Sequence, residues 1–210
     1  MSETILTLVR HGETQWNAAG RIQGHLDIPL NATGLAQAAA IGERLGGEAF
    51  DAILSSDLER ALQTARPIVR YSEQTLVPDP RLRERHLGVL QGLTGEEAAM
   101  RQPQAWQAFK ARSPNAALEG GETLADFSRR VVGLLEELPK TYSGGRLLLV
   151  THGGVLDAAY RHATALPLNA PRDFPIYNAS VNVLRHRGGW IVESWGDVSH
   201  LPQELVMDDT

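Results

Sequence analysis

Three short runs along the chain are apolar without alternation: Ile5 to Val9, Ala52 to Leu54 and Leu147 to Val150, each bounded by polar or turn-forming residues. Strands buried on both faces read this way, so the pattern predicts a parallel or mostly parallel sheet. Between the first two runs lies Thr33 to Gly46, with Leu35, Ala38, Ile41 and Leu45 at helical spacing. Thr33 is the expected N-cap and Gly46-Gly47 the stop, which predicts a crossover helix. Asp57 to Tyr71 predicts a second helix, capped by Ser55-Ser56-Asp57 and kinked or ended early by Pro67. Glu122 to Leu138 predicts a third, because Leu124, Phe127, Val131, Leu134, Leu135 and Leu138 form one stripe, with Pro139 and Gly144-Gly145 ending it. Ser180 to Arg185 and Trp190 to Trp195 flank Gly188-Gly189 and predict an antiparallel hairpin at the sheet edge.

This alternation gives an α/β sandwich with helices on both faces. Thr94 to Gly120 interrupts the rhythm with helical patterns around Glu96 to Met100 and Gln104 to Arg112, broken by Pro103 and Pro114. It reads as an excursion covering the active-site edge. At 210 residues and 42% hydrophobic content, the chain is expected to form a single domain over residues 1–210. The tail from Pro202 to Thr210 is polar and is expected to be loose.

Composition narrows the chemistry. A formal charge of -5 gives no global attraction to nucleic acid or to an anionic membrane, so an anionic ligand must be captured by a local basic cluster. The absence of cysteine excludes disulfides, thiolate nucleophiles and cysteine-ligated metals. No window approaches the roughly 20 apolar residues of a membrane span, and no export signal is read at the N-terminus, so a soluble cytoplasmic protein is expected. Oligomeric state is not legible, and a homodimer stays open.

In open α/β sheets, ligands bind beyond the carboxyl ends of the parallel strands. The first strand empties into Arg10-His11-Gly12, the second into Ser55-Ser56-Asp57 with Arg60 one turn on, and the later one into Thr151-His152-Gly153-Gly154. Alone, Arg60 reads as a solvated helix residue and either histidine as a loop residue near the core. Together they place two histidines and two arginines at one edge. Guanidinium forks suit phosphate oxygens, helix N-termini add N–H donors, and a glycine after each histidine allows close backbone approach. An imidazole in such a setting can attack phosphorus and form a covalent intermediate. The scheme needs a proton donor for the leaving oxygen, and Glu84, in Arg81-Leu82-Arg83-Glu84-Arg85-His86, is the candidate, although alone it reads as a surface partner of its neighbouring arginines. No histidine pair at helical ligand spacing supports a metal site, so His25, His162, His186 and His200 are read as structural or surface residues.

These residues resemble the histidine phosphatase superfamily, also called phosphoglycerate mutase-like. The resemblance covers most of the chain. It is carried by Leu8-Val9-Arg10-His11-Gly12-Glu13-Thr14 with Trp16-Asn17 and Gly20-Arg21-Ile22-Gln23-Gly24, by the helix opening Asp57-Leu58-Glu59-Arg60, by Leu82-Arg83-Glu84, and by Thr151-His152-Gly153-Gly154, in that order. It implies a three-layer α/β/α sandwich with a mainly parallel six-stranded sheet carrying one antiparallel strand. It also implies His11 as the phosphorylated nucleophile, Arg10, Arg60 and His152 as a phosphate clamp, and Glu84 as proton donor and later base. Asn17, Gln23, Gly24, Arg85 and Gly153 are implied as substrate contacts, and no metal or organic cofactor is implied. The expected activity is that of a metal-independent phosphomonoesterase on a small phosphorylated metabolite. A bisphosphoglycerate-dependent phosphoglycerate mutase is the alternative, but the longer basic insertion of the mutases is largely missing here, where Arg101, Lys110 and Arg112 are the only basic residues between Gly92 and Gly121. A non-catalytic phospho-ligand binder is a further alternative, against which Glu84 counts, since binding alone needs no proton donor.

Overall fold

The computed structural model describes residues 2–70 and 74–206. Strand β1 (Thr4–Arg10) leads through a four-residue helix α1 (Gln15–Ala18) to α2 (Ala32–Leu45), then β2 (Ala52–Ser55), α3 (Glu59–Val69) and β3 (Leu76–Pro78). Helices α4 (Gly95–Arg101) and α5 (Pro103–Lys110) form the predicted excursion. They are followed by α6 (Leu124–Thr141), β4 (Arg146–Thr151), α7 (Gly153–Thr164) and the hairpin β5 (Val181–His186) and β6 (Trp190–Asp197). The six strands lie in the order β3-β2-β4-β1-β5-β6. The first four are mutually parallel, β5 runs antiparallel to β1, and β6 is antiparallel to β5, so β5 alone opposes the rest.

The unalternating strands are explained by two apolar layers. Leu6 and Leu8 of β1 and Leu147 and Leu149 of β4 pack with Phe127, Val131 and Leu135 of α6 and Val155 and Ala159 of α7. Their neighbours Val9, Leu148 and Val150 face the other way, against Ile41 and Leu45 of α2 and Ala61, Ala65 and Ile68 of α3. The sheet is therefore the middle of three layers, and its buried faces use Leu6 to Arg10 of β1 and Leu147 to Thr151 of β4 without a break. A third, smaller cluster of Leu87, Leu90, Ala98 and Leu118 lies beneath α4 and α5. Among the described residues, no helix is long and apolar enough to cross a membrane.

Several local expectations are corrected. Helix α2 is capped by Asn31, not Thr33: its side chain accepts from the Gly34 N–H at 2.8 Å, and the helix begins two residues earlier than the apolar spacing suggested. Leu35 is 52% exposed, and its expected place in the core is taken by Gln37, whose Oε1 accepts from the Glu13 N–H and whose Nε2 donates to the Leu205 carbonyl. That second bond ties Leu205 to α2, and Leu205 and Val206 pack against the core while residues 202–204 stay exposed; residues 207–210 lie outside the described residues. Helix α3 begins with Leu58 as N-cap, and its first N–H groups are met from elsewhere, Glu59 N donating to Asp27 Oδ1 at 2.7 Å. Pro67 does not end α3. Its ring packs so tightly on Gly42 of α2 that a Cβ there would lie 2.6 Å from the Pro67 Cβ. Tyr71, the expected end of that helix, lies outside the described residues. Helix α6 starts at Leu124 after the Thr123 cap and contains Pro139 in its last turn, where only one backbone bond is lost.

Candidate active site

A cavity of about 810 Å³ opens at the carboxyl ends of β1 and β4, and Arg10, His11, Asn17, Gln23, Gly24, Arg60, Glu84, Arg85 and Gly153 all line it. The four sequence blocks thus converge, although they are spread over more than 140 residues.

His11 follows the last residue of β1 and is 3% exposed. Its ring Nδ1 lies 2.7 Å from the Gly12 carbonyl. A carbonyl can only accept, so Nδ1 carries the proton and the neutral ring keeps its lone pair on Nε2. The His11 backbone is fixed as firmly. Its N–H donates to the Thr151 carbonyl of β4, and its own carbonyl accepts from Ala179 N and Asn178 Nδ2. Burial, and then the charges of Arg60 and Arg10, push the His11 pKa well below its ordinary 6.5.

Arg10 donates from Nη1 to the Ile176 carbonyl at 2.6 Å. Arg60 is fully buried, contrary to its isolated reading, and its guanidinium is anchored to the Leu26 carbonyl at 2.9 Å and the Gly24 carbonyl at 2.7 Å. Burial lowers its pKa to about 10, which keeps it charged at neutral pH. Its Nε–H donates to His152 Nδ1 at 3.2 Å, so that nitrogen is unprotonated and His152 Nε2–H donates to Ser56 Oγ at 2.7 Å. His152 is also held well below 6.5, chiefly by burial and then by Arg60. It does not form part of the cavity wall. It stands behind it, 5.1 Å from the His11 ring, with both nitrogens engaged.

Glu84 is not paired with a neighbouring arginine side chain. Its Oε1 accepts from Arg85 N at 2.7 Å and its Oε2 from Gly154 N at 2.9 Å. The carboxylate thus caps the N-terminus of α7, where the helix dipole favours negative charge. The expected N–H donors of α7 are therefore partly taken by Glu84 itself. Arg83 pairs instead with Asp57, at 2.6 Å. Arg85 turns its Nε and Nη2 to the Glu122 carbonyl.

The remaining substrate positions are brought to the wall with less definition. Asn17 uses its Oδ1 to accept from Thr14 N and Oγ1 in the capping box of α1. Gly24 has φ +53, which suits glycine, and a Cβ there would lie 2.1 Å from Gln91 Oε1. The glycine after His11 has a different purpose from the expected one. A Cβ on Gly12 would lie 2.6 Å from the Gly34 carbonyl oxygen, so its smallness lets α2 approach β1 rather than a ligand approach the backbone.

Sequence reasoning missed much of the outer wall. Phe109, Asp157, Arg172 to Ile176 and Leu124 line the cavity without any motif to mark them. Lys110 and Arg112 of the excursion reach the wall, whereas Arg101 does not line it. Arg112 crosses to α7, its Nη2 donating to Asp157 Oδ2 and its Nε to the Leu168 carbonyl. Among the described residues, no three histidine, aspartate or glutamate groups gather in a form that could hold a metal.

The comparison with known proteins agrees with this geometry. The family model for the histidine phosphatase superfamily (branch 1) matches residues 6–198. The chain is 47% identical over 204 residues to a metal-independent phosphoserine phosphatase of Arabidopsis thaliana, covering 94% of this chain and 83% of that protein. Among solved structures it resembles YhfR of Bacillus stearothermophilus, with TM-score 0.86, 35% identity, and coverage of 94% of this chain and 98% of that one. It also resembles a phosphoserine phosphatase mutant of Entamoeba histolytica in complex with phosphoserine, with TM-score 0.85, 28% identity, and coverage of 95% of this chain and 100% of that one. With the family model matched over nearly the whole chain, and with a relative this similar over 94% of it, the chain belongs to the histidine phosphatase superfamily, branch 1.

Proposed function

We propose that the protein is a phosphomonoesterase working through a phosphohistidine on His11, with a small carboxylate-bearing phosphate monoester such as phosphoserine as substrate. The observation that carries this reading is the His11 tautomer: Nδ1–H is held by the Gly12 carbonyl, so Nε2 keeps a lone pair on a residue that lines the cavity beside Arg10 and Arg60. The two guanidiniums bind the phosphoryl oxygens and stabilise the charge that develops on them. His11 Nε2 attacks phosphorus, the P–O ester bond breaks, and Glu84 gives its proton to the departing alkoxide. Water then attacks the phosphohistidine, its proton passing to Glu84, and inorganic phosphate is released. His152 acts from behind the wall by fixing the orientation of Arg60.

The charge of the cavity supports a second anionic group on the substrate. Seven cationic side chains and three carboxylates line it. Arg21 is paired with Glu97 outside the wall and Arg112 with Asp157 within it. Cations thus outnumber carboxylates in the wall by four, and this excess favours a substrate that carries a second anionic group beside its phosphate. Against the mutase alternative counts the short excursion after Gly92, of whose basic residues only Lys110 and Arg112 reach the wall.

The deciding experiment sets phosphate release from a panel of monoesters, with phosphoserine among them, beside 3-phosphoglycerate isomerisation with and without a bisphosphoglycerate primer. Fast release with negligible isomerisation is expected. Primer-dependent isomerisation with little net release would establish the mutase, and turnover that survives His11→Ala would overturn the phosphohistidine mechanism.

A further inference from the structure

Glu84 sits on a stretch of chain that belongs to no strand or α-helix. After β3, a single turn of 3-10 helix covers Pro80–Leu82, and residues 83–87 are irregular. Buried irregular backbone must find hydrogen-bond partners outside itself. Here the carbonyls are met one after another by side chains. Arg130, a partly buried residue of α6, donates from Nη1 to the carbonyls of Arg81 at 2.8 Å and Arg83 at 3.0 Å, and from Nη2 to the carbonyl of Glu84 at 3.2 Å. The intervening Leu82 carbonyl accepts from Thr151 Oγ1 at 2.8 Å, and the Glu84 carbonyl takes a second bond from His25 Nε2 at 2.8 Å.

Arg130 is itself held. Glu122 accepts from its Nε at 3.0 Å and its Nη2 at 2.9 Å, while Glu122 Oε2 also accepts from His86 N at 2.8 Å. The guanidinium lies 5.0 Å from the Phe127 ring centroid. Five bonds thus run from one planar fork to one carboxylate and to three carbonyls within four residues. Neither a lysine nor a simple helix ion pair reproduces that geometry.

We propose that Arg130, oriented by Glu122, is a positioning residue for Glu84, setting the place of its carboxyl against the leaving oxygen. The proposal rests on the reading of Glu84 as the proton donor. Arg130 does not line the cavity, so its effect passes through the backbone of residues 81–84. In kcat/KM, which covers the steps through leaving-group departure and not hydrolysis of the shared phosphohistidine, a misplaced donor slows a poor leaving group and matters little for a good one, whereas a general loss of folded protein slows both alike.

The test compares an alkyl phosphate with 4-nitrophenyl phosphate for Arg130→Ala, Arg130→Lys, Glu122→Gln and Glu84→Gln, each confirmed folded by circular dichroism. For Arg130→Ala, kcat/KM on the alkyl ester is expected to fall at least about tenfold, with kcat/KM on the nitrophenyl ester nearly unaffected. Guanidinium added at millimolar concentration should restore part of the lost alkyl turnover. Arg130→Lys, which keeps the charge and loses the fork, should show the same selectivity and decides the matter if the alanine variant does not fold. Equal slowing of both esters, or no slowing, in folded Arg130 variants overturns the proposal while a selective Glu84→Gln leaves the proton-donor reading standing. If Glu84→Gln itself slows both esters equally, that reading fails and the proposal falls with it.

Discussion

Gly154 sits in the first turn of α7 with its N–H on Glu84, and adding one methyl group there is the most direct way to displace the carboxylate without removing it. An ideal Cβ on Gly154 would lie 2.0 Å from Glu84 Oε1 and 3.0 Å from its Cδ. Real Cβ contacts essentially never fall below 3.0 Å, so the carboxylate oxygen must retreat by about 1 Å. The backbone of α7 need not yield, because the contacted atoms are the end of a side chain. Alanine is also the better helix former by about 1 kcal/mol, so Gly154→Ala should not lower stability. A 1 Å misplacement of a catalytic group costs about 10²-fold, equivalent to about 2.7 kcal/mol of barrier. Steady-state kinetics of Gly154→Ala should therefore show kcat/KM on an alkyl phosphate reduced by about two orders of magnitude, with a much smaller effect on kcat/KM for 4-nitrophenyl phosphate and an unchanged melting temperature. A variant that keeps full alkyl-phosphate turnover would refute the placement of the acid at Glu84.

Further expectations concern pH, the helix cap, close packing and metal. His11 and His152 are both held well below 6.5, so below that pH the unfolded chain binds protons that the folded chain does not. Urea unfolding should accordingly show stability level above pH 6.5 and falling steadily as the solution is acidified through and below it; a rise on acidification contradicts the burial argument. Asn31→Ala removes the cap of α2 and the Asn31 Nδ2 bond to Glu13, and should cost about 1–2 kcal/mol in the same assay. Gly34→Ala should be worse, because its Cβ would meet the Glu13 carbonyl oxygen at 2.0 Å and backbone on both sides must shift. Activity should survive prolonged dialysis against a chelator, and a loss restored by added divalent cation would show that the proposed mechanism is incomplete.

The central strands and the strand-end positions Arg10, His11 and His152 were legible because each rests on a local signal, whereas Arg60 and Glu84 became readable only beside them. Ile5 to Val9 and Leu147 to Val150 are apolar on both faces, and the residues that follow them had to emerge at one sheet edge. Boundaries were less legible where two residues compete for one task. Asn31 and Thr33 are both capping types, and Asn31 prevails because Leu30 is fixed by its bridge to Thr14 and Asn31 by its bond to Glu13. Pro67 was misjudged because proline's cost inside a helix is local, whereas its packing on Gly42 is tertiary. Arg130 carried no sequence signal, since nothing in an amphipathic helix reveals which carbonyls its arginine will meet. The outer wall was illegible for the same reason: Asp157 and Asp173 to Ile176 belong to the cavity only through contacts between distant segments.

Strand β1 is the first of the six strands, yet both of its partners come from the second half of the chain. Its neighbours are β4, which begins at Arg146, and β5, which begins at Val181, and the His11 carbonyl takes its two donors from Asn178 and Ala179. The N-terminal third of the molecule therefore has no sheet partners of its own for its central strand during vectorial synthesis, and contacts of such high sequence separation form slowly. A chain cut before residue 178 would expose both the edge of β1 and the nucleophile's backbone. The site and the fold should consequently appear together, only once the last quarter of the chain has joined the sheet.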